Sequence, residues 1–172
     1  SESVDFFCRK GFDVVGIDND LRKFFFGRKA STKWLNKLLL KKYKNFKDFN
    51  SDIRNYSNLK KIFKHYGKKI KLIIHCAAQP SHDYGKDHPL LDFNVNATGT
   101  LNLLELTKKF CPNAPFIFMS TNKVYGDNPN KLPLLKKKLR YEVSKKSEFF
   151  RGINEKFPID NCTHSFFGVS KT

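Results

Sequence analysis

The sequence predicts an α/β fold in which a parallel β-sheet is covered by helices on both faces. Three observations carry this expectation. Short runs at 12–17, 46–49, 70–76 and 116–119 have the length and the apolar or aromatic content of strands. Longer stretches between them repeat apolar residues at helical spacing. The two kinds of segment alternate along the chain, which is the order of a parallel sheet wrapped on both sides.

Residues 1–10 read as a helix with Val4, Phe7 and Cys8 on one face, ended by Gly11. Residues 12–17, FDVVGI, make a buried strand with Asp18, Asn19 and Asp20 at its carboxyl end. Residues 21–31 read as a loop whose aromatic run, Phe24, Phe25 and Phe26, packs over a neighbour. Thr32 caps a helix over 33–43 with Trp34, Leu35, Leu38 and Leu39 as its inner stripe. A short strand at 46–49 leads into Asn50, Ser51, Asp52, Ile53 and Arg54. Ser57 caps a helix over 58–66 with Leu59, Ile62 and Phe63 inward.

Residues 70–76 form a further buried strand. It ends in Ala77, Ala78, Gln79 and Pro80, where small side chains let a ligand approach the backbone. One long helix is expected over 87–109, with a break near Pro89. Gly99 in its middle costs about 1 kcal/mol against alanine, which points to a packing or ligand-approach role. The strand at 116–119 reads as buried on both faces. Residues 128–160 are polar and hold Pro129, Pro133 and Pro158, so an insertion or lid is expected there. Residues 163–172 begin a helix.

With 172 residues the chain can bury the core of one domain. Its hydrophobic content is 40% and no apolar run has the length of a membrane span, so it reads as a soluble chain with no membrane partner. Residues 1–5 lack the basic start and apolar centre of a secretory signal. Cys8, Cys76, Cys111 and Cys162 are far apart and form no Cys-x-x-Cys pair. That spacing argues against a zinc site or a disulfide framework, and for a reducing cytoplasm.

The net charge is +17, from 33 basic and 16 acidic residues. Lysines cluster at 37–44, 60–71 and 136–138 with aromatic residues between them, as a nucleic-acid surface would have. Solvated lysine faces on amphipathic helices are favoured instead. Lys, Asn, Phe, Ile and Tyr are the residues of A/T-rich codons, so genome bias gives this composition without a nucleic-acid partner. The excess of cations still attracts a phosphorylated or nucleotide-linked substrate.

Chemistry is expected at 116–127, FIFMSTNKVYGD. In an open α/β sheet ligands bind outside the carboxyl ends of the strands. Ser120 and Thr121 stand at such an end, although Ser and Thr also lead strands into ordinary turns.

Three segments, HCAAQPSHD, DFNVNATGTLNLLE and STNKVYGD, stand in order between His75 and Asp127. In sequence and spacing they resemble the extended short-chain dehydrogenase/reductase family of sugar-nucleotide epimerases and dehydratases, nearest to its CDP-tyvelose/CDP-paratose 2-epimerase group. The resemblance runs over nearly the whole chain. It implies a Rossmann-type doubly wound parallel sheet that binds NAD. Asp18 then accepts hydrogen bonds from the adenosine ribose hydroxyls and repels a 2′-phosphate, favouring NAD over NADP. Without the resemblance, Asp18 is a plain strand-to-turn aspartate. Asn19 and Arg22 help hold the adenosine side, and Asp52 with Ile53 resembles the adenine-edge pair. Ala77, Ala78 and Gln79 resemble the segment whose backbone passes the pyrophosphate and nicotinamide ribose. Asn96 matches an asparagine near the nicotinamide, a position where it also holds helix and strand backbone together.

The resemblance assigns catalytic positions to Thr121, which hydrogen-bonds the substrate oxygen, and to Lys171. The lysine of a Tyr-x-x-x-Lys motif binds the cofactor ribose and lowers the phenol pKa. Here the tyrosine position is Phe167, in Phe166-Phe167-Gly168-Val169-Ser170-Lys171. A phenyl ring cannot exchange a proton. Either another group supplies the base, with His82, Tyr84, Tyr125 and His164 as candidates, or the protein binds NAD without the expected reaction. Asn122-Lys123 replaces the Asp-Glu pair of the 4,6-dehydratases and matches the 2-epimerase group.

The family's first strand and G-x-x-G-x-x-G turn belong before Ser1, and its substrate-binding carboxyl half after Thr172. A partial domain, incomplete at both ends and inactive by itself, is therefore expected. The implied activity is NAD-dependent epimerisation of a nucleotide-linked sugar, with a CDP-sugar favoured, through a transient keto intermediate. Pairing into a homodimer through a helix bundle is a further implication.

Overall fold

In the computed structural model, which describes residues 1–172, helices and strands alternate as expected. Helix α1 (Glu2–Arg9) leads into β1 (Val14–Asp18), α2 (Leu21–Phe26), α3 (Lys33–Lys42) and β2 (Phe46–Asn50). Next come α4 (Tyr56–Tyr66), β3 (Ile73–His75), α5 (His82–Asp87) and α6 (Pro89–Phe93). A π-helical turn over Asn94–Thr98 joins α6 to α7 (Gly99–Phe110). Strand β4 (Phe116–Phe118), a hairpin of β5 (Leu134–Lys136) and β6 (Tyr141–Val143), and the short α8 (Phe166–Val169) follow.

The four core strands form two parallel pairs. β1 runs with β2, Asp18 opposite Asn50, and β3 runs with β4, His75 opposite Phe118. No ladder joins one pair to the other. Side chains join them instead. Ile17 of β1, Ile73 of β3 and Phe116 of β4 all pack on one cluster of Ile53, Leu59, Phe63, Leu103, Leu106 and Cys111, supplied largely by α4 and α7. Val14 lies three residues from Ile17 and so points to the opposite face of β1. There it meets a second cluster, Cys8, Leu39 and Phe46, closed by α1 and α3. Both faces of the first pair are thus covered.

Gly99 has the packing role expected of it. A Cβ there would overlap the Ile53 side chain, with Cγ1 at 2.7 Å, so glycine lets α7 approach the loop after β2.

Several expectations need correction. β4 is not buried on both faces. Phe116 and Phe118 face inward, and period-2 alternation turns Ile117 out to 46% exposure. The 21–31 segment is not a loop, because α2 forms within it. Asp20, left-handed at φ 57°, is buried and accepts from Ser31 Oγ at 2.8 Å and Thr32 N at 3.2 Å, closing the segment on itself. Its Phe25 does pack over a neighbour, the ring of Tyr84 on α5, at 4.9 Å.

On α3 the inward row is Leu35 and Leu39, while Trp34 and Leu38 are exposed, and Thr32 makes no side-chain cap. Helix α4 starts two residues early because Asn55, not Ser57, is its cap, accepting from Asn58 N at 3.0 Å. The long helix expected over 87–109 is present with its break beside Pro89: α6, the π-turn and α7 run on without interruption from Pro89 to Phe110. The 128–160 segment carries a hairpin and its own buried anchor, Phe157, whose ring packs on Phe149 at 4.7 Å. The four cysteines are free thiols, and no helix is long and apolar enough to cross a membrane.

Replacing Gly99 by alanine should destabilise the intact protein by about 1–3 kcal/mol through overpacking against Ile53. Urea denaturation followed by circular dichroism measures it; an unchanged midpoint would contradict the tight contact.

Candidate functional site

A cleft of about 210 Å³ opens where β1 and β3 end. Seven of the residues singled out from the sequence line it: Asp18, Asn19, Arg22, Asp52, Ile53, Ala77 and Ala78. Cys76, Pro80 and Val95 complete the wall on the β3 side. All but Val95, on the π-turn, come from the carboxyl ends of β1, β2 and β3 or the segments that leave them, which is where an open α/β sheet collects ligand-binding groups.

The acidic rim is ordered by local hydrogen bonds. Asp18 Oδ1 accepts from the backbone of Asp20 at 2.6 Å, and its other oxygen has no protein partner. Asn19 Oδ1 accepts from Leu21 N at 3.0 Å, and its amide donates to Asp52 Oδ2 at 2.8 Å. Asp52 also receives the Arg54 side chain at 3.0 and 2.7 Å and the Arg54 backbone at 2.8 Å. The Arg54 guanidinium holds the Asp52 carboxyl below the usual carboxylate range. Arg22 is exposed, with its guanidinium 5.2 Å from the Phe26 ring.

Behind the cleft lies a polar network shielded from solvent. Asp92 and Gln79 are 0% exposed, and Asn96 and Ser170 are almost as buried. Asp92 Oδ1 accepts from Gln79 Nε2 at 2.8 Å and from Asn96 Nδ2 at 3.3 Å, and Asp92 Oδ2 accepts from Ser170 Oγ at 2.5 Å. Asn96 also donates to Ser170 Oγ at 2.9 Å and accepts from the Gln79 backbone at 2.8 Å. A Cβ on Gly85 would lie 2.9 Å from Asp92 Oδ1, so α5 presses backbone against the carboxyl. The side chains of Gln79 and Asn96 therefore turn into the protein, and neither residue lines the cleft. Asn96 holds helix to loop, as one of its two expected roles requires. Asp92 and Ser170 escaped sequence reasoning. The available signal was Asp92 standing four residues before Asn96, one helical turn away.

Lys171 is 5% exposed, with Nζ 4.6 Å from the centre of the Phe118 ring. Burial lowers its pKa, against the opposing pull of Cys76 and Asp92. Cys76, directly after β3, lines the cleft. His75 is buried, stacks on Phe118 at 5.4 Å and sits 2.9 Å from Thr100 Oγ1. Desolvation, then the Lys171 charge, pushes its pKa down to about 4.

Thr121 is partly exposed and caps the 3-10 turn Asn122–Tyr125, accepting from Lys123 N at 3.3 Å. Ser120, not Thr121, ties the end of β4 to the last segment, donating to the Lys171 carbonyl at 2.9 Å. Phe167 is half-buried, and its ring meets that of His82 at 6.4 Å. Of the other candidate bases, Tyr84 packs on Phe25 and His88, and the Tyr125 hydroxyl donates to the Asn154 carbonyl at 3.3 Å. His164 Nε2 sits 2.7 Å from the Ile159 carbonyl.

Asp92→Ala should cost about 3 kcal/mol, since three buried donors lose their acceptor at about 1 kcal/mol each. Chemical denaturation of the intact protein checks this. A second expectation concerns acid. The folded state holds His75 neutral down to about pH 4, whereas an unfolded histidine protonates near 6.5. The unfolded chain therefore binds the proton more readily. This contribution is complete above about pH 6.5 and falls away towards pH 4, by up to roughly 3 kcal/mol. His75→Gln should flatten the fall in urea midpoint between pH 7 and pH 5.

Comparison with known proteins agrees with this geometry. A model of the GDP-mannose 4,6 dehydratase family matches residues 1–145. The chain is 35% identical over 127 residues to CDP-paratose 2-epimerase of Salmonella typhi, covering 74% of this chain and 35% of that protein. It is 36% identical over 126 residues to UDP-glucuronate 4-epimerase of Thermodesulfobacterium geofontis, covering 73% and 37% respectively. The chain thus spans about a third of the length of these relatives. Its fold is similar to that of UDP-glucose 4-epimerase from Bifidobacterium longum, solved in complex with NAD+ and UDP. That match has a TM-score of 0.66 at 23% identity and covers 98% of this chain and 41% of the other. Parallel strand pairs, a cleft at their carboxyl ends and a family match over residues 1–145 lead to one conclusion: the chain belongs to the GDP-mannose 4,6 dehydratase family, within the extended short-chain dehydrogenase/reductase sugar-nucleotide epimerases and dehydratases.

Proposed function

We propose that this chain is the dinucleotide-binding part of an NAD-dependent epimerase acting on a nucleotide-linked sugar. The observation that carries the proposal is the buried bridge of Asn96, which accepts from the Gln79 backbone of the cleft loop at 2.8 Å and donates to Ser170, beside Lys171, at 2.9 Å. The donor set suits NAD. Asp18 keeps one carboxylate oxygen without a protein partner for a ribose diol, and its negative charge disfavours a 2′-phosphate. Asn19, Arg22, Asp52 and Ile53 border the adenosine end, and Ala77 and Ala78 leave room beside the backbone. Gln79 and Asn96 hold that backbone from behind. Lys171 reaches the nicotinamide ribose, and Thr121 holds the sugar hydroxyl.

When bound, NAD supplies a reversible hydride acceptor, so that a carbinol can pass through a ketone and be re-formed with inverted configuration. A CDP-sugar and 2-epimerisation are the finer assignment. They are supported by the resemblance to CDP-paratose 2-epimerase and by Asn122-Lys123 following Thr121, where the dehydratases carry acid and base.

The activity belongs to the intact protein. A further parallel strand would complete the sheet between β1 and β3, whose pairs share a core without a ladder. Pairing of two copies is supported by Leu90, Phe93, Leu101 and Leu104, four exposed apolar side chains along α6 and α7. A cytoplasmic site suits the four free thiols. A second reading, an NAD-binding member that does not turn over, is favoured by one observation, the Phe167 ring, which has no exchangeable proton.

Incubating the intact protein with NAD and a panel of CDP- and UDP-sugars should interconvert one epimer pair. NAD binding with no interconversion in the panel would favour the second reading, and activity only after Phe167→Tyr would establish it. Asp18→Ala should weaken NAD binding about tenfold, equal to about 1.4 kcal/mol, and lower the preference over NADP, as measured by calorimetry.

A further inference from the structure

Oxidation of a sugar hydroxyl releases a proton, and the phenyl ring of Phe167 cannot take it. We propose that His82 is the proton-transfer residue of this site, acting in place of the phenol that position 167 lacks. The proposal rests on the epimerase reading above.

Position is the first support. The His82 imidazole lies edge-on to the Phe167 ring, with centroids 6.4 Å apart and planes at 73°. It therefore flanks the place from which a phenol would act. The backbone on both sides is held by one network. Ser81, just before His82, accepts from Gln79 Nε2 at 2.7 Å through its carbonyl and donates its N–H to Gln79 Oε1. Gln79 is bonded to Asp92, and Asp92 to Ser170, the neighbour of Lys171. His82 and Lys171 are thus placed by the same buried carboxyl. Ser81 Oγ accepts from Tyr84 N at 3.2 Å, which fixes His82 as the first residue of α5.

The ring chemistry is the second support. His82 Nδ1 lies 3.3 Å from Asp83 Oδ1. With the proton on Nδ1 directed to that carboxylate, Nε2 carries a lone pair and has no protein partner. The side chain is 48% exposed, so a substrate can reach it. Imidazole ordinarily changes charge between about pH 5 and 8 and serves as acid and base in turn. The Tyr84 ring packs between Phe25 and His88, the Tyr125 hydroxyl donates to the Asn154 carbonyl, and His164 Nε2 lies against the Ile159 carbonyl.

In the forward half of the reaction the sugar O–H bond breaks and its proton goes to His82 Nε2. The C–H pair of electrons leaves with its hydrogen as hydride to the nicotinamide dinucleotide, and a C=O bond forms. In the return half the carbonyl carbon takes hydride back on its other face and the oxygen recovers the proton from His82.

The test compares the intact wild-type protein with His82→Gln, Phe167→Tyr and the double variant. Epimer interconversion is measured with NAD present. NADH binding is followed by fluorescence, and the His82 imidazole by NMR during addition of CDP-glucose and UDP-glucose. His82→Gln should lower turnover at least 100-fold, with NADH binding within twofold of wild type and an unchanged circular dichroism spectrum. Adding Phe167→Tyr to it should restore turnover at least tenfold, and sugar nucleotide should shift the wild-type imidazole signal. Turnover in His82→Gln within threefold of an active wild type, with an unmoved imidazole signal, would overturn the role of His82 alone. A wild type that neither binds NADH nor interconverts any sugar would overturn the epimerase reading, and His82 with it.

Discussion

The buried carboxyl of Asp92 is the constraint around which the site is arranged. It joins three parts of the chain that are remote in sequence: the loop after β3 through Gln79, the π-turn through Asn96, and the segment before Lys171 through Ser170. A buried polar group is costly unless its hydrogen bonds are made, and here each donor has an acceptor. The glycine at 85 admits the α5 backbone to the same point. Without the carboxyl, the Gln79 side chain and Ser170 lose their shared acceptor, and Asn96 alone bridges the loop after β3 to Ser170. The arrangement behind the cleft therefore rests in part on a group that does not line it.

The two parallel strand pairs show a comparable division of labour. Apolar packing, not backbone pairing, aligns β1 with β3, since Ile17, Ile73 and Phe116 converge on the α4–α7 cluster. Gly99 and Ile53 fix how near that layer comes to the loop after β2. The same Ile53 then lines the cleft. One side chain thus belongs both to the core and to the wall of the cleft.

Much of this was legible in the sequence where local chemistry decides the outcome. Strand runs with polar ends gave Asp18, Ala77 and Ser120 their places, and a mid-helix glycine announced a close contact. The cleft residues could be gathered because strand ends converge in any parallel sheet. What stayed hidden depends on tertiary partners. Ser170 and Asp92 are 78 residues apart, and no periodicity relates them. Helix α2 was hidden by three successive phenylalanines, which trace no single face and so mimic a loop. On α3 the apolar residues occupy two adjacent rows, and only contact with the second core cluster selects Leu35 and Leu39 as the inner one. Lys171 was expected, but not the aromatic ring beneath its ammonium group nor the neutral imidazole beside it.

The outward tilt of β4 has its own implication. Ile117 and Met119 stand in water, and the flank of β4 away from β3 offers amide and carbonyl groups that no neighbour satisfies. Such a margin recruits any extended peptide able to lie alongside it. A cover over that margin would guard against strand-to-strand clumping, so colloidal behaviour and the fold share one short stretch of chain.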